Sequence, residues 1–186
     1  MPLVRMIRHA RPASGWGDAD PDPGLAPEGR QQARAAAALL QGLDDPPLAI
    51  VASPLRRCQE TAQPFAEALG APVLVDPRVG EIPTPAGLDP RERPAWLRRA
   101  FAGRWDEIEG GDFSAWREGV LQALREHEGA AVFSHFVALN AAVSAVRGED
   151  RTVSFRPAHT SVTTFHVEEG GLSLVSLGAE MDTEVL

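Results

Sequence analysis

The chain has 186 residues, enough for one domain with a substantial core, and its 44% apolar and 24% charged fractions are those of an ordinary globular protein. A net charge of −8 argues against nucleic acid or an anionic membrane as a general partner, so any anion must be bound by a local cluster against the overall field. One cysteine, Cys58, leaves no intramolecular disulfide and no cysteine-based zinc site; no apolar run reaches bilayer length, and charge begins at Arg5, so no secretory leader and a cytoplasmic location are expected.

The elements follow in chain order. Residues 2–8 read as a buried strand, and a loop rich in Gly, Pro and Asp occupies 12–24. "APEGRQQARAAAALLQGL" has the proline start, Ala/Leu content and glycine stop of a helix. "PLAIVAS" is a short apolar strand that ends in Ser53-Pro54. In the next stretch Leu55, Cys58, Ala62, Phe65, Ala66 and Leu69 share one face at helical period, with Pro64 inside as a possible kink site. "PVLV" at 72–75 is a third strand. Residues 82–112 differ in character: prolines, glycines, Trp96, Trp105 and several arginines suggest an insertion with short helices. It is expected to act as a lid over the site, or else to be a packed subdomain with structural tryptophans. Phe113, Trp116, Val120, Leu121 and Leu124 mark a further helix. "AAVFS" (130–134) is a fourth strand, "FVALNAAVSAV" a helix, and β-rich runs near 160–167 and 172–177 are joined by Glu-Glu-Gly-Gly as a hairpin.

Strands alternating with helices predict one α/β domain over 1–186, a three-layer sandwich. Its central sheet is expected to be mostly parallel, with helices on both faces and an antiparallel C-terminal strand pair. In such sheets ligands bind beyond the carboxyl ends of the strands. The first strand ends in Arg8-His9-Ala10-Arg11, the second in Ser53-Pro54-Leu55-Arg56-Arg57, and the fourth in Ser134-His135-Phe136. Glu81 follows the third. All 18 basic residues are Arg, so a lone Arg says little. Each group alone has an ordinary explanation: a satisfied strand-end histidine, a solvated helix face, a loop carboxylate, a helix cap. Together they make a site for a tetrahedral dianion, with guanidinium forks and a helix N-terminus at 136 facing phosphate oxygens. His127 reads as an exposed helix-end residue without a role and His166 as structural. His159, beside Thr160 and Ser161, is expected at most to support the site from behind. Cys58 is expected to pack in the core.

"LVRMIRHARP" and "SPLRRCQETA" resemble the two signature segments of the histidine phosphatase superfamily, the phosphoglycerate mutase-like proteins. "DPGLAPEGRQQA" resembles the segment between them, "VFSHFVALN" the one that carries the second histidine, and "HTSVTTF" the closing strand. The resemblance implies a phosphoglycerate mutase-like fold. It implies His9 as the nucleophile that becomes a phosphohistidine, Arg8, an arginine of the second segment and His135 as phosphate ligands, and Glu81 as the acid for the leaving oxygen. In Ser-Pro-Leu-x-Arg-x-x-x-Thr-Ala the literal match is Arg57, with Arg56 as its exposed neighbour. Ala10 and Phe136 stand where the family has glycines, which predicts tighter pocket walls. The chain also lacks the Glu-Thr and Asn that many members carry after the first histidine, so their substrate specificity is not inherited.

The chemistry these residues suggest is in-line attack on phosphorus by a neutral imidazole, with guanidinium stabilisation of the equatorial oxygens and proton transfer by Glu81. No metal or cofactor is expected, and neither a Walker-type loop nor an H-E-x-x-H motif occurs. The expected enzyme is a phosphoric monoester hydrolase acting on a small phosphorylated metabolite. The alternatives are a phosphoglycerate mutase, a protein-phosphohistidine phosphatase and a non-catalytic phosphate-binding module.

Overall fold

The computed structural model of the protein describes residues 2–15 and 20–181, so part of the 12–24 loop lies outside the described residues. The order of elements is β1 (Leu3–Arg8), α1 (Pro27–Gln41), β2 (Ala49–Ala52), α2 (Arg56–Leu69), β3 (Val73–Val75), α3 (Arg93–Ala102), α4 (Ser114–Glu126), β4 (Ala130–Ser134), α5 (Phe136–Arg147), β5 (Val162–Glu168) and β6 (Gly171–Ser176), with short 3-10 turns at Pro77–Val79, Pro90–Glu92 and Trp105–Glu107. Local signals set the ends: Pro27 occupies the first turn of α1, and Gly70 and Gly148, both at φ +66°, terminate α2 and α5 in the left-handed conformation. Pro64 lies within α2, which continues through it to Leu69.

The six strands form one sheet in the order β3-β2-β4-β1-β5-β6. The first four are parallel, and β5 and β6 are antiparallel. The two-residue turn Glu169-Gly170 closes the terminal hairpin, with Gly170 at φ +79°. Alternation along the strands splits the core in two. Val4, Met6, Val51 and Val132 face α4 and α5, packing on Val120, Leu124, Leu139 and Val143. Ile7, Ile50, Ala52 and Phe133 face α1 and α2, packing on Leu40, Cys58, Ala62 and Phe65. Leu40 and Phe65 are essentially inaccessible to solvent, and each such side chain contributes about 1.5–3 kcal/mol by burial. This is the expected three-layer sandwich.

The 82–112 segment has its own core. Ile82, Trp96, Leu97, Trp105, Ile108 and Phe113 pack with Phe136, Val137 and Ala141 of α5. The Trp96 indole N–H donates to the Glu109 carbonyl at 2.8 Å, and that of Trp105 to the Ser144 hydroxyl at 2.9 Å. Both tryptophans therefore serve packing, and Arg98 and Arg99 stay exposed.

Parallel register aligns the carboxyl ends of β1, β2 and β4. Arg8 pairs with Ser134, and Ala52 with Phe133. Beyond the strands the ladder continues: His9 N–H donates to the Ser134 carbonyl at 2.9 Å and Ser53 N–H to the Phe133 carbonyl at 3.0 Å. Three chain segments far apart in sequence thus leave the sheet side by side.

Candidate active site

Arg8 and Arg57 are 5% and 8% exposed, and neither forms an ion pair among the described residues. Two buried, unpaired cations are costly unless an anion joins them. The Arg8 guanidinium lies 5.2 Å from the Phe136 ring centroid and donates from Nη1 to the Pro157 carbonyl at 2.8 Å; its Nε has no protein partner among the described residues. Burial lowers its pKa to about 10, with Glu81 opposing and Arg57 reinforcing the shift, so it stays charged at neutral pH. Phe136 is not simply a tighter pocket wall where the family has glycine. It turns into the core of the 82–112 segment, 5.3 Å from Phe101, and offers its ring to Arg8.

The His9 and His135 rings meet edge-on, with centroids 5.3 Å apart. His9 Nδ1 is 2.8 Å from the Ala10 carbonyl, which can only accept, so Nδ1 carries the proton and Nε2 keeps its lone pair. Burial first, then the charges of His135, Arg57 and Arg8, hold the His9 pKa well below its usual value. The neutral ring is thus the resting form. His135 has the opposite tautomer. Its Nδ1 lies 3.2 Å from Arg57 Nη2, which can only donate, so Nε2–H donates to Ser53 Oγ at 2.7 Å with Cys58 Sγ 3.3 Å away. Burial, Arg57 and Arg8 likewise keep His135 neutral. His135 starts α5 but its side chain does not cap that helix.

Glu81 stands half-buried at the same edge. Its carboxylate accepts from Ile82 N–H at 3.0 Å and from Val137 N–H, in the first turn of α5, at 3.3 Å. These bonds and the charges of Arg93 and Arg57 favour the anion, but burial outweighs them and raises the pKa. The loop that carries Glu81 is clamped upstream: Asp76 accepts from Arg78 at 2.7 Å and meets His127 Nε2 at 2.8 Å, and Arg78 also pairs with Glu126 at 2.7 Å. His127 is half-buried and tied to Asp76, where the sequence reads as an exposed helix-end residue without a role. Arg57, the literal signature match, faces His135, whereas Arg56 is exposed and pairs with Glu60 at 2.7 Å.

Three residues gain a place that sequence alone did not give them, and a fourth, His159, stands where a supporting residue was expected. Thr61 Oγ1 accepts from Ala10 N–H at 2.9 Å and donates to the Arg57 carbonyl at 2.6 Å, joining the two signature segments. Ser53 fixes the His135 tautomer. Arg93, the first residue of α3, donates to Thr84 Oγ1 at 2.8 Å and to the Ile82 carbonyl at 3.3 Å, and its charge acts on Glu81 and His135. His159 stands beside His9, ring centroids 5.8 Å apart; burial, Arg8 and Arg11 lower its pKa to about 4. The next residue, Thr160, has φ +60°, rare for a β-branched side chain, and its N–H donates to the Arg8 carbonyl at 2.9 Å. Arg11, in contrast, is exposed and pairs with Glu28 at 2.7 Å.

Among solved structures the chain resembles the phosphoserine phosphatase of Entamoeba histolytica in complex with 3-phosphoglyceric acid, at 23% identity over 95% of this chain and 96% of that one, with a TM-score of 0.73. It resembles the mycobacterial glucosyl-3-phosphoglycerate phosphatase at 22% identity over 97% and 100% of the two chains, with a TM-score of 0.72. A putative α-ribazole-5′-P phosphatase from Escherichia coli matches at 18% identity over 98% of each chain, with a TM-score of 0.72. At such identities these likenesses establish the fold. Among curated proteins, the transcription factor tau 55 kDa subunit of Saccharomyces cerevisiae is 43% identical over a 79-residue match that covers 38% of this chain and 18% of that protein. The match thus spans less than a fifth of that relative. The sequence model of a phosphatase or phosphoryl-transfer family covers residues 4–180: the chain belongs to the histidine phosphatase superfamily (branch 1).

Proposed function

We propose that the protein is a metal-independent phosphatase of small organic phosphate monoesters that works through a phosphohistidine on His9. The observation that carries this reading is the pair of buried, unpaired guanidinium groups, Arg8 and Arg57, beside a His9 ring whose Nδ1–H is anchored and whose Nε2 lone pair is free. In the first step Nε2 attacks phosphorus, the bond to the leaving oxygen breaks, and protonated Glu81 gives its proton to that oxygen. In the second, Glu81 takes a proton from water, the water oxygen attacks phosphorus, and the N–P bond breaks with its electron pair returning to Nε2. Arg8, Arg57 and His135 hold the equatorial oxygens throughout. His135 presents a lone pair at Nδ1 in the free protein, so it must gain a proton there before it can donate to a phosphoryl oxygen, and the bound dianion favours that gain. The two guanidinium groups supply the positive charge that a metal supplies in other phosphatases.

Small substrates are favoured by what the solved neighbours are named for: phosphoserine, glucosyl-3-phosphoglycerate and α-ribazole-5′-P. The 82–112 segment, packed on α5 with Arg93 near Glu81, would form the wall of the leaving-group pocket. The test is turnover of a panel of small phosphate monoesters in the presence of a chelator. Orthophosphate release that is undiminished by chelation and lost in His9→Ala is expected. An isomerised phosphate ester in place of orthophosphate would make the enzyme a mutase; phosphate binding without turnover would make it a binding module.

A further inference from the structure

We propose that Met181 is an oxidation site that controls the phosphate pocket: its thioether lies on the Arg8 guanidinium, and conversion to the sulfoxide holds Arg8 away from substrate. The inference rests on Arg8 being a phosphate ligand. Met181 Sδ is 2.8 Å from Arg8 Nη1, the same nitrogen that donates to the Pro157 carbonyl. This placement is built by the backbone. Ala158 N–H donates to the Ala179 carbonyl and Met181 N–H to the Arg156 carbonyl, both at 2.8 Å, so residues 179–181 pair with 156–158 beside the site. Glu180 completes the pairing by accepting from Arg156 N–H at 2.9 Å.

A thioether is a weak acceptor, so a phosphoryl oxygen displaces it readily from a guanidinium. A sulfoxide oxygen is a strong acceptor with a concentrated partial negative charge. In the reaction the sulfur lone pair attacks one oxygen of a peroxide and the O–O bond breaks. The sulfur keeps that oxygen as S=O, and the peroxide is reduced by two electrons to water or an alcohol. Met181 is suited to this reaction among the described sulfur atoms. It is partly exposed, whereas Met6 lies wholly in the core and Cys58 is buried with a thiol pKa pushed up by that burial. No other sulfur is hydrogen-bonded to an arginine of the site among the described residues.

The experiment treats wild type and Met181→Leu with hydrogen peroxide, quantifies Met181 sulfoxide by peptide mass spectrometry, and measures KM for p-nitrophenyl phosphate and Kd for orthophosphate. Each protein is compared with its own untreated state. In wild type both constants should rise about tenfold in step with the sulfoxide fraction, the effect of one competing charge-assisted hydrogen bond, and methionine sulfoxide reductase should reverse the rise. Met181→Leu should show no rise. Unchanged constants at full Met181 oxidation, or an equal loss in both proteins, would overturn the inference alone. Untreated wild type that neither binds orthophosphate nor turns over would overturn the functional reading, and this inference with it, before any peroxide is added.

Discussion

His9 and His135 carry the same ring in opposite tautomers, and the difference comes from one partner each: a carbonyl at His9 Nδ1 and a guanidinium at His135 Nδ1. Arg57 therefore sets the state of His135. Arg57→Ala should lower kcat/KM by about 10²–10³-fold, the usual loss when one preorganised donor is removed, and Arg56→Ala, which removes only an exposed ion pair with Glu60, should leave it nearly unchanged. Steady-state kinetics on the two variants checks the assignment. Glu81→Gln separates proton donation from binding. With a poor leaving group such as an alkyl phosphate the loss should reach about 10²–10⁴-fold, but with p-nitrophenyl phosphate, whose phenolate leaves without a proton, it should be much smaller. Because burial raises the Glu81 pKa, the acid form persists above the ordinary carboxylate range and alkyl phosphate turnover should fall as pH rises through that raised value. Arg8, His9 and His135 were legible in the sequence because they sit at strand ends, whereas the choice of Arg57 over Arg56 and the role of Glu81 came from the resemblance of the signature segments. The contacts of Ser53 and Arg93 were not legible, because they depend on loop paths that no local pattern encodes.

At the scale of elements, α2 and β1 are coupled through Thr61, whose hydroxyl satisfies Ala10 N–H just beyond His9 and donates back to the Arg57 carbonyl. Thr61→Val keeps the shape but leaves a buried N–H without a partner, a cost of about 1–3 kcal/mol. A lowered urea midpoint with an unchanged m-value should accompany a lower kcat. Helix α1 is held against the same loop by Gly29, where an added Cβ would come within 2.1 Å of the Arg11 carbonyl oxygen. Gly29→Ala should therefore destabilise the fold by about 1–3 kcal/mol through overpacking, although alanine favours helices, and thermal denaturation would reveal it. The strands and helices themselves were readable from periodicity, proline starts and glycine stops. The packing of 82–112 was not: its tryptophans signal a core, but only the fold shows that this core is completed by α5 and that His127 reaches Asp76.

The whole molecule concentrates buried imidazole at one end of its sheet, and this makes stability depend on pH. His9, His135 and His159 all have folded-state pKa values below 6.5. As pH falls through about 6.5, the unfolded chain takes up these protons first, so stability must fall with pH. Glu81 acts in the opposite sense, holding its proton longer in the folded state, but as one group against three. Asp76, whose pKa the Arg78 guanidinium depresses, adds to the acid loss only below the ordinary carboxylate range. Thermal midpoints should thus decline steadily from pH 7.5 to pH 5; a flat profile would contradict the burial of these rings as neutral groups. Net charge, −8, gave no hint of an anion site, because two guanidinium groups at the sheet edge act locally against the overall field. The covalent step is the most direct test: substrate is mixed with enzyme, quenched in base within a single turnover, and the digest is analysed by mass spectrometry. A phosphoryl group on the His9 peptide, appearing and decaying at rates consistent with kcat and absent in His9→Ala, is the expected result. Full turnover with His9 never modified, or undiminished in His9→Ala, would contradict it.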